Sequence, residues 1–203
     1  MNSLGEDLLI VAIDPRSGHL HNRSHLQYGL AGAELIMLAE AGRVAVGEDG
    51  RLQVTGTAAL TTGDADLDTA LGKLADARRA PKVRGWVRYP RRNLTSAYLN
   101  RLITAGVVER QGGVLRPRWP VTDQARAAAV RQRLDAIALG SGPVDEPQAA
   151  FAGLADAIGL VLLYYRGRDN REVRKRLREI TKSHWVAEPV RRAVDAAEAA
   201  AAG

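Results

Sequence analysis

Positively charged and aromatic side chains cluster in the middle of the sequence. Within eleven residues the chain places Lys82, Arg84, Trp86, Arg88, Tyr89, Arg91 and Arg92, with no acidic residue among them. Arginine and lysine bind phosphate groups by charge and hydrogen bonds, whereas tryptophan and tyrosine favour the boundary between water and lipid. The pattern is typical of a surface that meets phosphates. The plainer interpretations are a solvated charged face without a ligand and, for Trp86, a place in the core.

The net charge of the chain, +6, arises in this part of the sequence. Residues 82–118 contain nine basic groups and one acidic group, whereas residues 1–81 contain seven and eleven, and residues 119–203 contain thirteen and eleven. A positive field confined to one segment predicts an anionic partner, either nucleic acid or lipid.

A second group of basic residues follows later in the chain. Arg171, Arg174, Lys175, Arg176 and Arg178 alternate with Glu172 and Glu179 at helical spacing. Because opposite charges are mixed there, we expect this group to be the exposed face of a helix rather than a second binding site.

Three histidines could suggest a metal site, but the sequence does not complete one. His19, His21 and His25 lie close together, yet the chain has no cysteine and no paired carboxylate beside them. A zinc site needs such further ligands. We therefore expect these histidines to lie in turns or on the surface.

The aspartates at positions 64, 66 and 68 resemble the start of a calcium loop. The glycine and the terminal glutamate that the loop requires are absent, so we expect these residues to begin a helix. The sequence also lacks the glycine-rich and serine-centred motifs of nucleotide-binding proteins and hydrolases. We thus expect no enzyme activity, no cofactor and no metal.

Apolar residues at helical spacing dominate the elements that must position the basic segment. They predict a mainly α single domain over residues 1–203, a helical bundle around a central apolar helix with two small β-hairpins. In chain order, the first predicted helix begins at Ser3, the second ends at Gly42 and the third begins at Asp64 or Asp66. The next two run from Asn93 to Gly106 and from Thr122 or Asp123 to Leu139. The last three cover residues 147–165, 170–182 and 186–202. Residues 147–165 are apolar nearly all round, which predicts the buried centre of the bundle.

Two glycine-rich turns separate short β-branched runs. The first predicted hairpin pairs Val44–Val46 with Leu52–Val54. The second pairs Val107–Arg110 with Val114–Arg116 across the turn Gln111–Gly113.

The longest apolar stretch, Ile158 to Tyr165, is far shorter than the roughly 20 residues of a membrane span. No cleavable signal opens the chain, so we expect a cytoplasmic protein. We expect it to bind peripherally at the inner face of a membrane. Arginine outnumbers lysine and alanine is abundant, a bias typical of GC-rich bacterial genomes.

Three stretches resemble the Golgi phosphoprotein 3 / vacuolar protein sorting 74 family in order and spacing. They are residues 4–9 (LGEDLL), residues 29–44 (GLAGAELIMLAEAGRV) and residues 102–108 (LITAGVV) with the hairpin that follows. The resemblance implies a non-enzymatic helical domain that binds phosphatidylinositol 4-phosphate on Golgi membranes, binds the cytoplasmic tails of membrane enzymes, and oligomerises through a hairpin.

The resemblance also implies residue roles. The family's headgroup tryptophan falls near Asn22 and its arginines fall near Ala31, Arg92 and Thr95, so that only Arg92 keeps the residue type. We accordingly expect Arg84, Arg88, Arg91, Arg92 and Arg23 to bind lipid headgroups, with Trp86 and Tyr89 at the membrane interface. The oligomerisation hairpin implied by the resemblance contains Val107, Val108, Val114, Leu115 and Trp119.

Two other functions fit the same charge. A helix followed by a hairpin is also the pattern of a winged helix, in which Asn93, Thr95, Ser96 and Asn100 could contact bases. Alternatively, the protein is an interaction scaffold whose basic residues meet acidic protein tails.

Overall fold

The structure is a computed structural model that describes residues 3–56, 61–113 and 115–203. Over these ranges it contains ten helices and one two-stranded antiparallel sheet, which confirms the mainly α fold class. The elements are α1 (Leu4–Ala12), α2 (Arg23–Glu40), β1 (Val44–Val46), β2 (Leu52–Val54), α3 (Ala65–Ala75), α4 (Val83–Arg88), α5 (Leu94–Thr104), α6 (Gln124–Leu139), α7 (Glu146–Ala157), α8 (Val161–Tyr164), α9 (Arg171–Ser183) and α10 (Ala187–Ala202).

Helix α7 forms the centre of the bundle. Every residue from Ala150 to Ala157 is buried, and α7 packs against α1, α2, α6, α9 and α10. The predicted helix continued to Tyr165, but Gly159 adopts a φ of +80° and separates α7 from the short helix α8. The Asn22 side-chain amide donates a hydrogen bond to the Ile158 carbonyl, 2.8 Å away. This hydrogen bond joins the start of α2 to the break between α7 and α8.

The first predicted hairpin is confirmed. Val44 lies opposite Val54 and Val46 lies opposite Leu52. Thr55 N–H also donates to the Arg43 carbonyl, and Leu52 N–H donates to the Pro81 carbonyl. The sheet therefore ties the end of α2 to the chain that leads into α4.

The strand limits and the turn predicted for the second hairpin are wrong. Two isolated bridges, Val108 to Val121 and Gln111 to Arg118, join its arms and make the connecting loop longer than predicted. Pro117 and Pro120 occupy the returning arm and have no N–H to donate, which explains the interrupted ladder.

Residues 83–88, for which the sequence analysis predicts no helix, form the helix α4. Val83 and Val87 are buried on one side of it, and α4 packs against α10 and α2. A pair of valines four residues apart was the only sequence signal for this short helix. The packing leaves the opposite side of α4 to the solvent.

Ion pairs connect several elements beside the core. Ser3 accepts a hydrogen bond from Glu6 N–H as the cap of α1, but the Glu6 carboxylate turns to arginines of α5 and α6 instead of completing a capping box. The pairs are Glu34–Arg91 (2.9 Å), Arg91–Asp66 (2.5 Å), Asp64–Arg101 (2.6 Å), Arg101–Glu6 (3.1 Å), Glu6–Arg126 (2.6 Å) and Asp7–Arg133 (3.0 Å).

None of the helices seen in the described ranges has the length and apolar character needed to cross a bilayer.

Candidate functional site

Six cations before, along and just after α4 face the solvent. Within the part of the chain that the structure describes, none of them forms an ion pair: Arg78, Arg79, Lys82, Arg84, Arg88 and Arg92. We call these six residues the cationic surface. Arg78 and Arg79 were not among the predicted site residues, although their adjacency was visible in the sequence.

Arg91 faces inward, unlike the arginines on either side of it. Its Nε and Nη2 donate to Glu34 Oε1 at 3.1 and 2.9 Å, and Nη2 also donates to Asp66 Oδ1. Its side chain is only 13% exposed. The sequence segment contains no acid, but α2 and α3 each supply one, so the predicted contact between Arg91 and a lipid phosphate does not fit this geometry.

The two aromatic residues of the segment differ in exposure. Tyr89 is 75% exposed, and the Arg88 guanidinium lies 5.7 Å from the centre of its ring. Trp86 is half-buried and packs against the hydrophobic core, with its indole nitrogen buried. Tyr89 is thus available to an interface, whereas Trp86 packs partly against the core.

A pocket of about 620 Å³ opens where the first turns of α2 and α5 meet. Arg23, Ser24 and Gln27 of α2 line one side, and residues 93–96 line the other. Arg23 is exposed, with its guanidinium 5.8 Å from the centre of the Trp119 ring. Arg92 immediately precedes the pocket residue Asn93, which brings one edge of the cationic surface to this α2–α5 pocket.

The backbone of the α2–α5 pocket favours an anion. Asn22 and Asn93 are the N-caps of the two helices, both with left-handed backbones (φ 47° and 61°), and neither side chain caps its helix. First-turn N–H groups therefore lack a capping side chain, and the helix dipoles place partial positive charge there. The hydroxyls of Ser24, Thr95 and Ser96 add donors.

The positions carried over from the family do not all meet. Thr95 lines the pocket and Arg92 is exposed beside it, whereas Ala31 is 1% exposed in the core. The Asn22 side-chain amide donates its hydrogen bond to the Ile158 carbonyl. Arg23 is the cation that the structure places in the pocket.

The hairpin residues predicted to mediate self-association lie mainly in the core of the chain itself. Val107, Val108 and Trp119 are buried, whereas Leu115 is 96% exposed. Val114 lies outside the described residues. Among the described members of this group, Leu115 is therefore the one that a second molecule can reach without unfolding.

The basic residues of α9 divide into two sets. Arg174 and Arg176 donate to backbone carbonyls, the latter to Ile137 and Gly142. Arg171, Lys175 and Arg178 are exposed, as predicted for a helix face.

The acidic and histidine clusters show no metal-binding geometry. Asp64 is the N-cap of α3 and accepts from the N–H groups of Asp66 and Leu67, as expected of helix-start acids. Within residues 3–56, 61–113 and 115–203, no group of three or more histidine, aspartate or glutamate side chains is arranged to hold a metal ion.

A comparison with protein families decides the relationship that these features suggest. The family model described as Golgi phosphoprotein 3 (GPP34) matches residues 4–197. The chain belongs to the Golgi phosphoprotein 3 family. Comparison with individually curated proteins gives no match. The family match covers every helix from α1 to α9 and most of α10, so the cationic surface and the α2–α5 pocket both lie within the matched residues.

Proposed function

We propose that this protein is a non-catalytic adaptor that attaches to membranes peripherally by binding anionic lipid headgroups. The cationic surface supplies the attraction, and the α2–α5 pocket receives one headgroup phosphate near Arg23 and Arg92. The observation that carries the proposal is the set of six exposed cations without carboxylate partners in the described chain, of which Arg92 adjoins a pocket at two helix N-termini that lack side-chain caps.

The magnitude of the charge effect is consistent with reversible attachment. Each basic residue close to an anionic leaflet contributes about 1 kcal/mol. Six such residues give on the order of 6 kcal/mol before the entropy of attachment is subtracted, which corresponds to a weak interaction. Tyr89 adds an aromatic ring at the height of the headgroups.

Phosphatidylinositol 4-phosphate is one headgroup that this site could take, in keeping with the family. Only Arg92 retains a family headgroup residue, so hydroxyls and backbone N–H groups would provide most of the donors here. We infer a preference for headgroups with an exposed phosphate, with less discrimination among them than several arginines would give.

Vesicle sedimentation tests the proposal. Replacing Arg84, Arg88 and Arg92 by alanine should weaken binding to phosphatidylglycerol vesicles about a hundred-fold, since three contributions of about 1 kcal/mol are lost. The matched control replaces Arg171, Lys175 and Arg178 by alanine, which removes the same charge from the exposed face of α9. Equal losses in the two variants would mean that net charge, rather than the cationic surface, governs binding.

A separate variant tests the role of the α2–α5 pocket. Ser96→Glu places a carboxylate at the first turn of α5 and should weaken binding to phosphoinositide vesicles more than binding to phosphatidylglycerol vesicles.

Duplex DNA at the same salt concentration tests the nucleic-acid alternative. DNA binding that exceeds vesicle binding and is lost in the triple alanine variant would replace the lipid proposal.

Self-association and the binding of cytoplasmic tails remain parts of the proposed adaptor role. Leu115 at the exposed end of the second hairpin is the residue through which copies would associate. Leu115→Asp should lower the sedimentation coefficient if an oligomer forms, and it should leave the folded monomer intact because the side chain makes little contact with the core.

A further inference from the structure

Arg91 lies between two exposed cations but is held below the surface by two carboxylates. Its guanidinium contacts Glu34, which is 1% exposed on α2, and Asp66, which is 21% exposed on α3. Asp66 is nearer the solvent than Glu34, so a guanidinium that leaves Glu34 can move outward past Asp66. The Glu34 contact is therefore the deeper of the two that hold Arg91 below the surface.

Several charged or titratable groups face Glu34. They are Arg91 in the α4–α5 connection, Asp64 and Asp66 on α3, and Tyr98 on α5. Helix α1, which also packs on α2, brings Glu6, which is joined to Asp64 through Arg101. Burial outweighs the attraction of Arg91 and raises the pKa of Glu34 to about 7. Proton uptake by this carboxylate therefore falls near neutral pH.

The segment around Arg91 does not depend on this ion pair for its position. Val83 and Val87 anchor α4 against α10 and α2, and Leu94 at the start of α5 is 1% exposed. The chain on both sides of Arg91 is consequently fixed by apolar burial. The guanidinium can leave Glu34 while the cationic surface stays folded.

We propose that Glu34 is a proton-controlled latch for Arg91. When Glu34 is ionised, Arg91 stays inside; when Glu34 takes up a proton, Arg91 turns outward and joins Arg88 and Arg92 as a seventh cation. This inference rests on the proposed function for its consequence, which is tighter attachment to anionic membranes as the pH falls through neutrality.

Tyr98 of α5 is a further buried polar group near Glu34. Its side chain is fully buried, and its hydroxyl has no hydrogen-bond partner in the described structure. Burial raises the pKa of this phenol, and the charge of Glu34 adds to the effect. Because burial disfavours a charged carboxylate, the neutral form of Glu34 suits this apolar surrounding once Arg91 has left.

The test uses vesicles of phosphatidylglycerol, whose diester phosphate keeps its charge from about pH 8 to about pH 6. Wild-type binding should tighten about five-fold over this range, the effect of one additional cation at an anionic leaflet. Glu34→Gln should bind at the tighter level at both pH values, and Arg91→Met should bind at the weaker level at both. The four histidines are unchanged in all three proteins, so their contribution cancels in the comparison.

A pH profile that is the same in the wild type, Glu34→Gln and Arg91→Met would overturn the latch. So would an Arg91→Met variant that binds at the tighter level, since it would mean that Arg91 never contributes outside. If Glu34→Gln binds more weakly than the wild type at both pH values, the ion pair is required to hold the surface and the proposal is wrong.

Nuclear magnetic resonance separates the latch from membrane binding. The Glu34 carboxyl carbon and the Arg91 Nε should titrate in free protein with one shared midpoint near pH 7. If no vesicle binding occurs but this shared titration is seen, the proposed function fails and the latch stands. A Glu34 carboxyl that titrates while Arg91 Nε stays constant would refute the latch whatever the vesicles do.

Discussion

Gly5 of α1 lies directly against the ring of Tyr98 of α5. A β-carbon at position 5 would overlap the ring, and Tyr98 itself is fully buried among the core residues. Two helices can approach this closely only because position 5 has no side chain. The glycine in the LGEDLL stretch therefore allows the close packing of α1 against Tyr98.

Gly5→Ala should lower the free energy of unfolding by about 1–3 kcal/mol, because the ring or the helix must move to admit the methyl group. Tyr98→Phe should instead be neutral or stabilising by up to about 1 kcal/mol, since it removes a buried hydroxyl without a partner. Urea unfolding measures both changes. A Gly5→Ala protein as stable as the wild type would show that the contact is looser than described.

Glu34 should make stability depend on pH. Its folded-state pKa, about 7, lies above its ordinary value of 4.5, so between these values the folded state binds more protons than the unfolded state. The Glu34 contribution to the free energy of unfolding thus falls as the pH rises from about 4.5 to about 7, then stays constant.

Glu34→Gln removes this contribution. The variant should gain stability relative to the wild type across the same pH window, by at most about 3 kcal/mol. Urea unfolding of both proteins at several pH values gives the difference. A difference that does not vary with pH would mean that Glu34 stays ionised throughout.

Glu6 joins two arginines from different helices. Its carboxylate contacts Arg101 at 3.1 Å and Arg126 at 2.6 Å, and its side chain is 11% exposed. Glu6→Ala leaves two partly buried guanidinium groups without this partner, so we expect a loss of about 3 kcal/mol or more in unfolding free energy. Glu179→Ala, which breaks the exposed pair with Lys182, should cost less than about 1 kcal/mol.

Gly159, at the break between α7 and α8, can be compared with Gly85 in α4. Gly159 has a φ of +80°, and a β-carbon there would lie 2.9 Å from Asn22 Nδ2. Gly159→Ala should destabilise by about 1–3 kcal/mol and disturb the Asn22 hydrogen bond. Gly85→Ala in α4 meets no neighbouring atom and should stabilise by up to about 1 kcal/mol. Thermal unfolding should give shifts of opposite sign.

Local signals predicted much of the fold. The predicted caps Ser3, Asp64 and Asp123 each accept a hydrogen bond from the first turn of their helix, and the glycine turn predicted the β1–β2 hairpin. These features depend on residues close in sequence, so the sequence contains the whole interaction.

The candidate site was less predictable because its geometry depends on distant partners. The acids that hold Arg91 are 57 and 25 residues away in the chain, and no count of charges within the segment could include them. The inward position of Trp86 likewise follows from how α4 packs against the core. Sequence alone could name the cations but could not say which of them are exposed.

The packing of α4 against α10 has a consequence for how the chain is made. Val83 and Val87 are covered by a helix that begins at Ala187, so α4 lacks part of its support until the ribosome has synthesised that distant stretch. A nascent chain that stops before α10 would present its arginines on an unsupported segment. Correct display of positive charge therefore becomes a late event in biogenesis.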